Sequence, residues 1–329
     1  MYYLDFYQEE SSNLFSSALL CYNKGESVKE KSEKSEKSGR KAQTDEKEET
    51  KERNPERAAG RKERMEHEEW PAGKRGRREN TKRREPMDER VKKIIDESEK
   101  VVFFGGAGVS TESNIPDFRS EKGLYHAVQE YGYPPETMLS YSFYNSHRTL
   151  FFDYYKHNLV YRDAKPNKAH LALAELERQG KLLSVVTQNV DGLHQLAGSK
   201  RVHELHGSVL RNYCSRCHAF YDLDYIMDPE NCAEDGLVPL CRKCGGVVKP
   251  DVVLYEETLN DRVIREAVED IEAADCLIIG GTSLVVYPAA GFINYFHGKN
   301  MILINKTETS YDSKANLVIY DSIGKVLGD

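Results

Sequence analysis

At 329 residues the chain is longer than one small core needs, with room for two modules and a tail. Its formal charge of −7 is unevenly spread: residues 1–23 hold 3 acidic groups and no basic ones, residues 24–90 hold 22 basic and 18 acidic, and the remainder holds 25 basic against 33 acidic, a balance of −8. An acidic folded part excludes a phosphate-tracking nucleic-acid surface on the core and leaves room for a cleft receptive to lysine-rich protein segments. No apolar run approaches the ~20 residues that cross a bilayer, so no membrane span is expected.

Residues 1–86 read as a disordered, charged N-terminal tail: the stretch from residue 24 has too few branched or aromatic residues to bury a core, and it isolates residues 1–23, which carry several aromatics and leucines without an assigned role. Within the tail, KRGRRENTKRR at 74–84 carries seven basic residues against one acidic. That run is either a contact for nucleic acid or an import receptor, or a solvated charged segment; mixed-sign flanks and the lack of interleaved aromatics favour the second. The first residues carry Asp5, Glu9 and Glu10 where a leader would be cationic. The seven cysteines are therefore expected as thiols in a reducing compartment, the cytoplasm.

Order begins near Met87, where Val91, Ile94 and Ile95 take the spacing of an amphipathic helix behind early acids. Residues 101–104, Val-Val-Phe-Phe, are too short for a helix and run into Gly105-Gly106-Ala107-Gly108: a strand, then a tight turn. Glycines there would let the backbone approach a phosphate, and a helix N-terminus after them would offer free N–H groups. Thr111 stands where the dinucleotide fingerprint has its third glycine, so the spacing alone fits a plain strand-to-helix turn equally well. Three further buried-type strands, at 182–186, 276–279 and 301–304, end in polar or glycine residues. Helical patterns at 167–179 and 259–274 lie between them. Together they predict an α/β fold: a doubly wound, mostly parallel, Rossmann-like sheet whose polar strand ends converge on one crevice.

Cys214-x2-Cys217 and Cys241-x2-Cys244 are separated by 23 residues. Two thiolate pairs on two turns can close a tetrahedral site with no open position, which indicates a structural zinc ion in a zinc-ribbon module at about 209–250. Cys232 lies in the loop between the pairs without a paired partner and is left out of the set. Cys21 and Cys276 read as unpaired thiols.

Four motifs now fall in a known order: GAGVSTESNIPDFRS at 106–120, TQNVDGLH at 187–194, ELHGS at 204–208 and GTSLVVYP at 281–288, with the cysteine pairs between the last two. Over residues 87–329 the chain resembles the Sir2 (sirtuin) family of NAD-dependent protein deacetylases. The resemblance implies a catalytic domain with an inserted zinc-ribbon module, NAD as a consumed co-substrate and one structural Zn2+. By position, Ala107, Thr111, Phe118 and Arg119 match the family's loop over the pyrophosphate and nicotinamide ribose. Gln188, Val190 and Asp191 match the nicotinamide pocket, and Thr282, Ser283 and Asn305 match contacts on the adenosine side. His206 matches the catalytic histidine, with His203 as its local rival.

The implied reaction has the acetyl oxygen attacking the ribose C1′ as nicotinamide leaves. His206 then activates the ribose hydroxyls, and collapse with water releases free lysine and O-acetyl-ADP-ribose. Acetylated protein substrates are expected to add as an extended strand near Val252–Tyr255. Two departures from the family pattern stand out. Asn114 replaces a glycine, which its tolerance of left-handed backbone permits, and Tyr255 replaces a common Phe. In the helix at 150–161, Phe152 and Tyr155 stand where the branch that removes acidic acyl groups carries Tyr and Arg, which implies an apolar acyl pocket suited to acetyl. The alternatives are a protein mono-ADP-ribosyltransferase on the same fold, separable by its products, and a non-catalytic zinc-ribbon binding module. The second would not need Gln188, Asp191 and His206 together.

Overall fold

The computed structural model describes residues 86–117 and 128–328. Phe118, Arg119 and the charged tail lie outside the described residues. Helix α1 (Glu89–Asp96) begins where the Asp88 carboxylate accepts from the Arg90 amide, and it buries Val91 and Ile95. This is the spacing read from the sequence. Further along the chain lie the longer helices α2 (Arg148–Asn158), α3 (Lys168–Arg178) and α4 (Asp261–Ala273), and the short C-terminal α5 (Ile323–Leu327). Asn167 caps α3 in a reciprocal box with His170, and Asn260 caps α4.

Six parallel strands form the main sheet: β1 (Val101–Gly105), β2 (Leu182–Thr187), β3 (Val202–Glu204), β7 (Cys276–Gly280), β8 (Asn300–Asn305) and β9 (Leu317–Tyr320). Their order across the sheet is β3-β2-β1-β7-β8-β9. Side-chain alternation sends Val101 and Phe103 into one core with Val185, Ile278 and Ile302, beneath Val91 of α1, Leu173 of α3 and Ile323 of α5. Val102 and Phe104 enter the opposite core with Leu277 and Ile279, against Ala267 and Ile271 of α4. Helices on both faces explain why the central strands read as unbroken apolar runs. Strands β3 and β9 were not anticipated: β3 has three residues, too few to show a period, and Tyr320 of β9 is exposed.

The small module is a three-stranded antiparallel sheet made of β4 (Gly207–Cys214), β5 (Phe220–Tyr221) and β6 (Val248–Val252), with β4 in the middle. Its core draws on more than the expected ribbon. Met138, Phe143, Phe151, Phe152, Tyr154 and Tyr155 pack with Val209, Ile226, Val248 and Leu254. The module is therefore built from two stretches of chain, one ending in α2 and one carrying the cysteines.

Candidate active site and four-cysteine cluster

Four neighbouring parallel strands open onto one cleft. Ala107 follows β1, Gln188 to Asp191 follow β2, His206 follows β3, and Thr282 and Ser283 follow β7; all line the cleft. It lies where the chain leaves β1 in two directions, toward β2 and toward β7, the switch point at which open sheets of this order leave a crevice for ligands. The small module contributes Leu139, Leu159 and residues 252–257 to the lining.

The glycine-rich turn after β1 has a structural cause besides ligand approach. A Cβ on Gly108 would sit 2.7 Å from the Gly281 Cα, and the Gly108 amide donates to the Gly281 carbonyl at 2.8 Å. The two turns are pressed together, and only glycine permits the distance. In place of the full helix expected after this turn, the chain forms a single α-helical turn, Ala107–Ser110, then a 3-10 turn, Thr111–Ser113. Asn114 closes it at φ 62°, in the left-handed region that its side chain tolerates.

His206 Nδ1 lies 3.0 Å from the Gln188 carbonyl oxygen. A carbonyl only accepts, so Nδ1 carries the proton and Nε2 is the basic nitrogen. His203, the local rival, is 6% exposed and sits with Nε2 2.7 Å from the Asp270 carboxylate of α4. Arg201 donates to the same carboxylate at 2.7 Å through both Nε and Nη2. Burial acts to raise the Asp270 carboxyl, but His203 and Arg201 override it and hold it well below the usual range. His203 ties β3 to α4 and is not among the described residues lining the cleft.

Gln188 joins three strand ends. Its amide donates to the Gly105 carbonyl at 3.0 Å, its own carbonyl accepts from His206, and its Nε2 donates to Thr282 Oγ1 at 3.1 Å. Ser110 Oγ donates to one Asp191 oxygen at 2.6 Å and the Leu193 amide to the other at 2.9 Å. Burial nevertheless lifts the Asp191 carboxyl above its ordinary value. Asn189 Nδ2 donates to Ser110 Oγ at 3.0 Å, which completes an Asn189–Ser110–Asp191 chain. Sequence reasoning passed over Ser110 and Asn189 as site residues, although both stand inside the quoted motifs; only the fold shows that they pair.

Two expected ligand contacts stand back from the wall. Asn305 spends its amide on the Thr282 backbone, accepting from its N–H at 3.1 Å and donating to its carbonyl at 2.6 Å. Thr111 Oγ1 donates to the Gly108 carbonyl at 2.9 Å. Neither is among the described residues lining the cleft. Phe152 and Tyr155, expected to shape an acyl pocket, are fully buried in the small-module core. Tyr155 stacks on Phe151 at 6.0 Å between ring centroids. The helix presents these two rings to its own module, and the cleft is lined instead by Asn158, Leu159 and Tyr161 beyond them.

The Sγ atoms of Cys214, Cys217, Cys241 and Cys244 lie within 4.8 Å of one another. Cys214 and Cys244 are 3.4 Å apart and Cys217 and Cys241 3.5 Å. Tetrahedral zinc with Zn–S of about 2.3 Å places its sulfurs roughly 3.8 Å apart, so the set fits a closed four-thiolate site. Cys232 is elsewhere: Lys156 Nζ donates to its sulfur at 3.4 Å.

A parallel sheet in this order with a polar cleft at its switch point, joined to a four-thiol module, defines a Rossmann-like α/β class with a zinc-ribbon type of insertion. The sequence profile of the Sir2 family matches residues 106–288. An NAD-dependent protein deacetylase of Clostridium acetobutylicum is 60% identical over 237 residues, covering 72% of this chain and 95% of the relative. One of Clostridium perfringens is 61% identical over 246 residues, covering 74% and 98%. Among solved structures, a Sir2–p53 peptide–NAD+ complex superposes with a TM-score of 0.64 at 36% identity, covering 73% of this chain and 95% of that one. A Sir2 bound to an acetylated peptide gives 0.62 at 34% identity, covering 72% and 94%. The chain belongs to the Sir2 family.

Proposed function

We propose that the chain is an NAD-dependent protein lysine deacetylase, moving the acetyl group of acetyl-lysine onto ADP-ribose with release of nicotinamide. The observation that carries this reading is the meeting of His206, Gln188 and Asp191 in one cleft at the sheet's switch point. With Nδ1–H held by the Gln188 carbonyl, His206 offers Nε2 to take a proton from a ribose hydroxyl. Asp191, already oriented by Ser110 and Leu193, presents an acceptor for the N–H of a carboxamide. Ala107, Thr282 and Ser283 line the nucleotide side, with Asn305 fixing the Thr282 turn from behind. Thr111, Phe118 and Arg119 belong to the same loop by sequence position.

Residues 252–255 line the cleft, are held in place by the rest of the chain, and are the edge we assign to the substrate. The Val253 amide donates to the His206 carbonyl at 3.0 Å, and Tyr255 exchanges backbone bonds with Leu139 and Tyr141, both at 3.0 Å. An acetylated peptide laid along this edge brings its modified lysine beside His206. The four thiolates hold one structural zinc ion. The protein acts in the cytoplasm; among the described residues no helix is long and apolar enough to cross a membrane.

The test is incubation with NAD and an acetylated peptide. Nicotinamide, deacetylated peptide and O-acetyl-ADP-ribose should appear in equal amounts. ADP-ribose attached to protein with the acetyl group retained would give the transferase reading, and no nicotinamide release would defeat both.

A further inference from the structure

Acidic residues in the cleft lining, and others a residue or two from it along the chain, differ in how their charge is used. Glu204 and Asp251 share Arg211, at 2.6 and 2.8 Å, and Glu257 holds Lys249 at 2.9 Å. Glu256 is exposed, lines the same cleft as His206, and takes part in no ion pair among the described residues. Its two oxygens accept from neutral donors of one residue, the Ser142 amide and the Ser142 hydroxyl, each at 2.9 Å. Those donors fix the carboxylate in place without cancelling its charge.

The backbone is fixed as well. Glu256 sits at φ 75°, a conformation that costs a non-glycine residue and that glycine adopts freely. The preceding residue, Tyr255, is anchored on both sides by Leu139 and Tyr141. A glutamate is thus carried in a glycine-type conformation, at the end of the edge that receives the peptide, with its charge paired to no cation among the described residues. The acetylated lysine is neutral, so the reacting side chain offers this anion no ionic partner. Its complement is a cation elsewhere on the same peptide.

We propose that Glu256 is a specificity-determining residue that selects acetyl-lysine sites with an arginine or unmodified lysine close by in the peptide. The proposal rests on the deacetylase reading and names the substrate class that the reading leaves open. An exposed carboxylate meeting a cation gains a modest amount, about 1.5- to five-fold in kcat/KM at low salt, and less as salt screens the pair.

The experiment uses the full chain and one acetyl-lysine peptide series in which the residues within two positions of the acetyl-lysine are Ala, Arg or Glu. Deacetylation and peptide binding by fluorescence anisotropy are both measured. The wild-type protein should favour Arg over Ala over Glu at one or more positions, with the preference shrinking between 50 and 500 mM salt (about three-fold in Debye length). In Glu256→Gln and Glu256→Gly the Arg-to-Ala ratio should fall to about one, and in Glu256→Lys the order should invert. Equal wild-type turnover on all three flanks, or an Arg preference that survives in all the variants, overturns the proposal. Absence of turnover on every peptide would instead defeat the deacetylase reading, and the anisotropy ratios would still report on Glu256.

Discussion

Two histidines three residues apart illustrate how surroundings assign roles that composition leaves open. His206 has its Nδ1 on the Gln188 carbonyl and stands in the cleft, whereas His203 is buried against Asp270. Alanine at each should therefore fail differently. His206→Ala is expected to slow acetyl transfer by roughly 10²-fold or more, the scale of a lost general base, with NAD affinity and melting temperature little changed. His203→Ala leaves the Asp270 carboxylate buried with Arg201 alone, and should cost about 1–3 kcal/mol of stability while keeping most of the turnover. Thermal melts, calorimetric NAD titration and steady-state rates on both variants check this; the reverse pattern would exchange the two roles. Both histidines were visible in ELHGS and its flank as candidates. What the sequence could not supply was where each one packs, since β3 is only three residues long and His206 lies just beyond its end.

At the scale of elements, the strands that could be read are those buried on both faces, β1, β2, β7 and β8, and the helices are α1, α3 and α4, each with an Asp or Asn cap, together with the uncapped α2. The packing of α3 onto the turn after β2 was not visible, because it depends on His170 and His194. Their rings meet at 4.7 Å, 0% and 1% exposed, and His170 Nε2 and both nitrogens of His194 have no hydrogen-bond partner among the described residues. Burial pushes His170 down to about 4 and His194 to about 3, so both are neutral in the fold. Since the unfolded chain protonates near 6.5 and the folded one does not, stability present above that pH is lost as pH falls toward 4. Between pH 7 and 5 the loss is about 2 kcal/mol per histidine. Urea midpoints should fall accordingly, and His194→Leu should remove about half of the fall; an unchanged slope would show that His194 is not the cause. The four-cysteine cluster makes a separate element-level prediction. Chelation, or Cys214→Ala, should raise amide exchange in β4, β5 and β6 and leave β1 and β7 protected, because binding energies of roughly 10–16 kcal/mol in small zinc modules are coupled to folding. Unaltered exchange in β4 to β6 on removing metal would exclude a structural zinc.

At the scale of the whole molecule, the clostridial relatives are matched over 95% and 98% of their length by 72% and 74% of this chain. A chain starting at Met87 keeps the Asp88 cap of α1 and the Asp88 amide's bond to the Val326 carbonyl at 2.8 Å. It should therefore keep both its melting temperature and its turnover, and a marked loss of either would show that residues 1–86 dock on the core. Charge at the same scale bears on which acyl group is removed. The part of the chain after residue 90 is acidic overall, with 33 acidic residues against 25 basic. The cleft repeats that bias: its described lining carries Asp117, Asp191, Glu256 and Glu257 and no lysine or arginine. Phe152 and Tyr155, buried in the small-module core, do not decide the matter; the apolar walls that do are Leu139, Leu159, Val190 and Val252. A succinyl or malonyl carboxylate entering this cleft would lose its hydration, which costs several kcal/mol, and would face further anions. Acetyl carries no such charge, and a butyryl chain adds methylenes worth up to about 0.8 kcal/mol each if they are buried. On one peptide carrying acetyl-, butyryl- or succinyl-lysine at the same position, the first two should turn over and the third should be at least 10²-fold slower. Efficient desuccinylation would mean that a cation outside the described lining reaches the acyl end of the cleft.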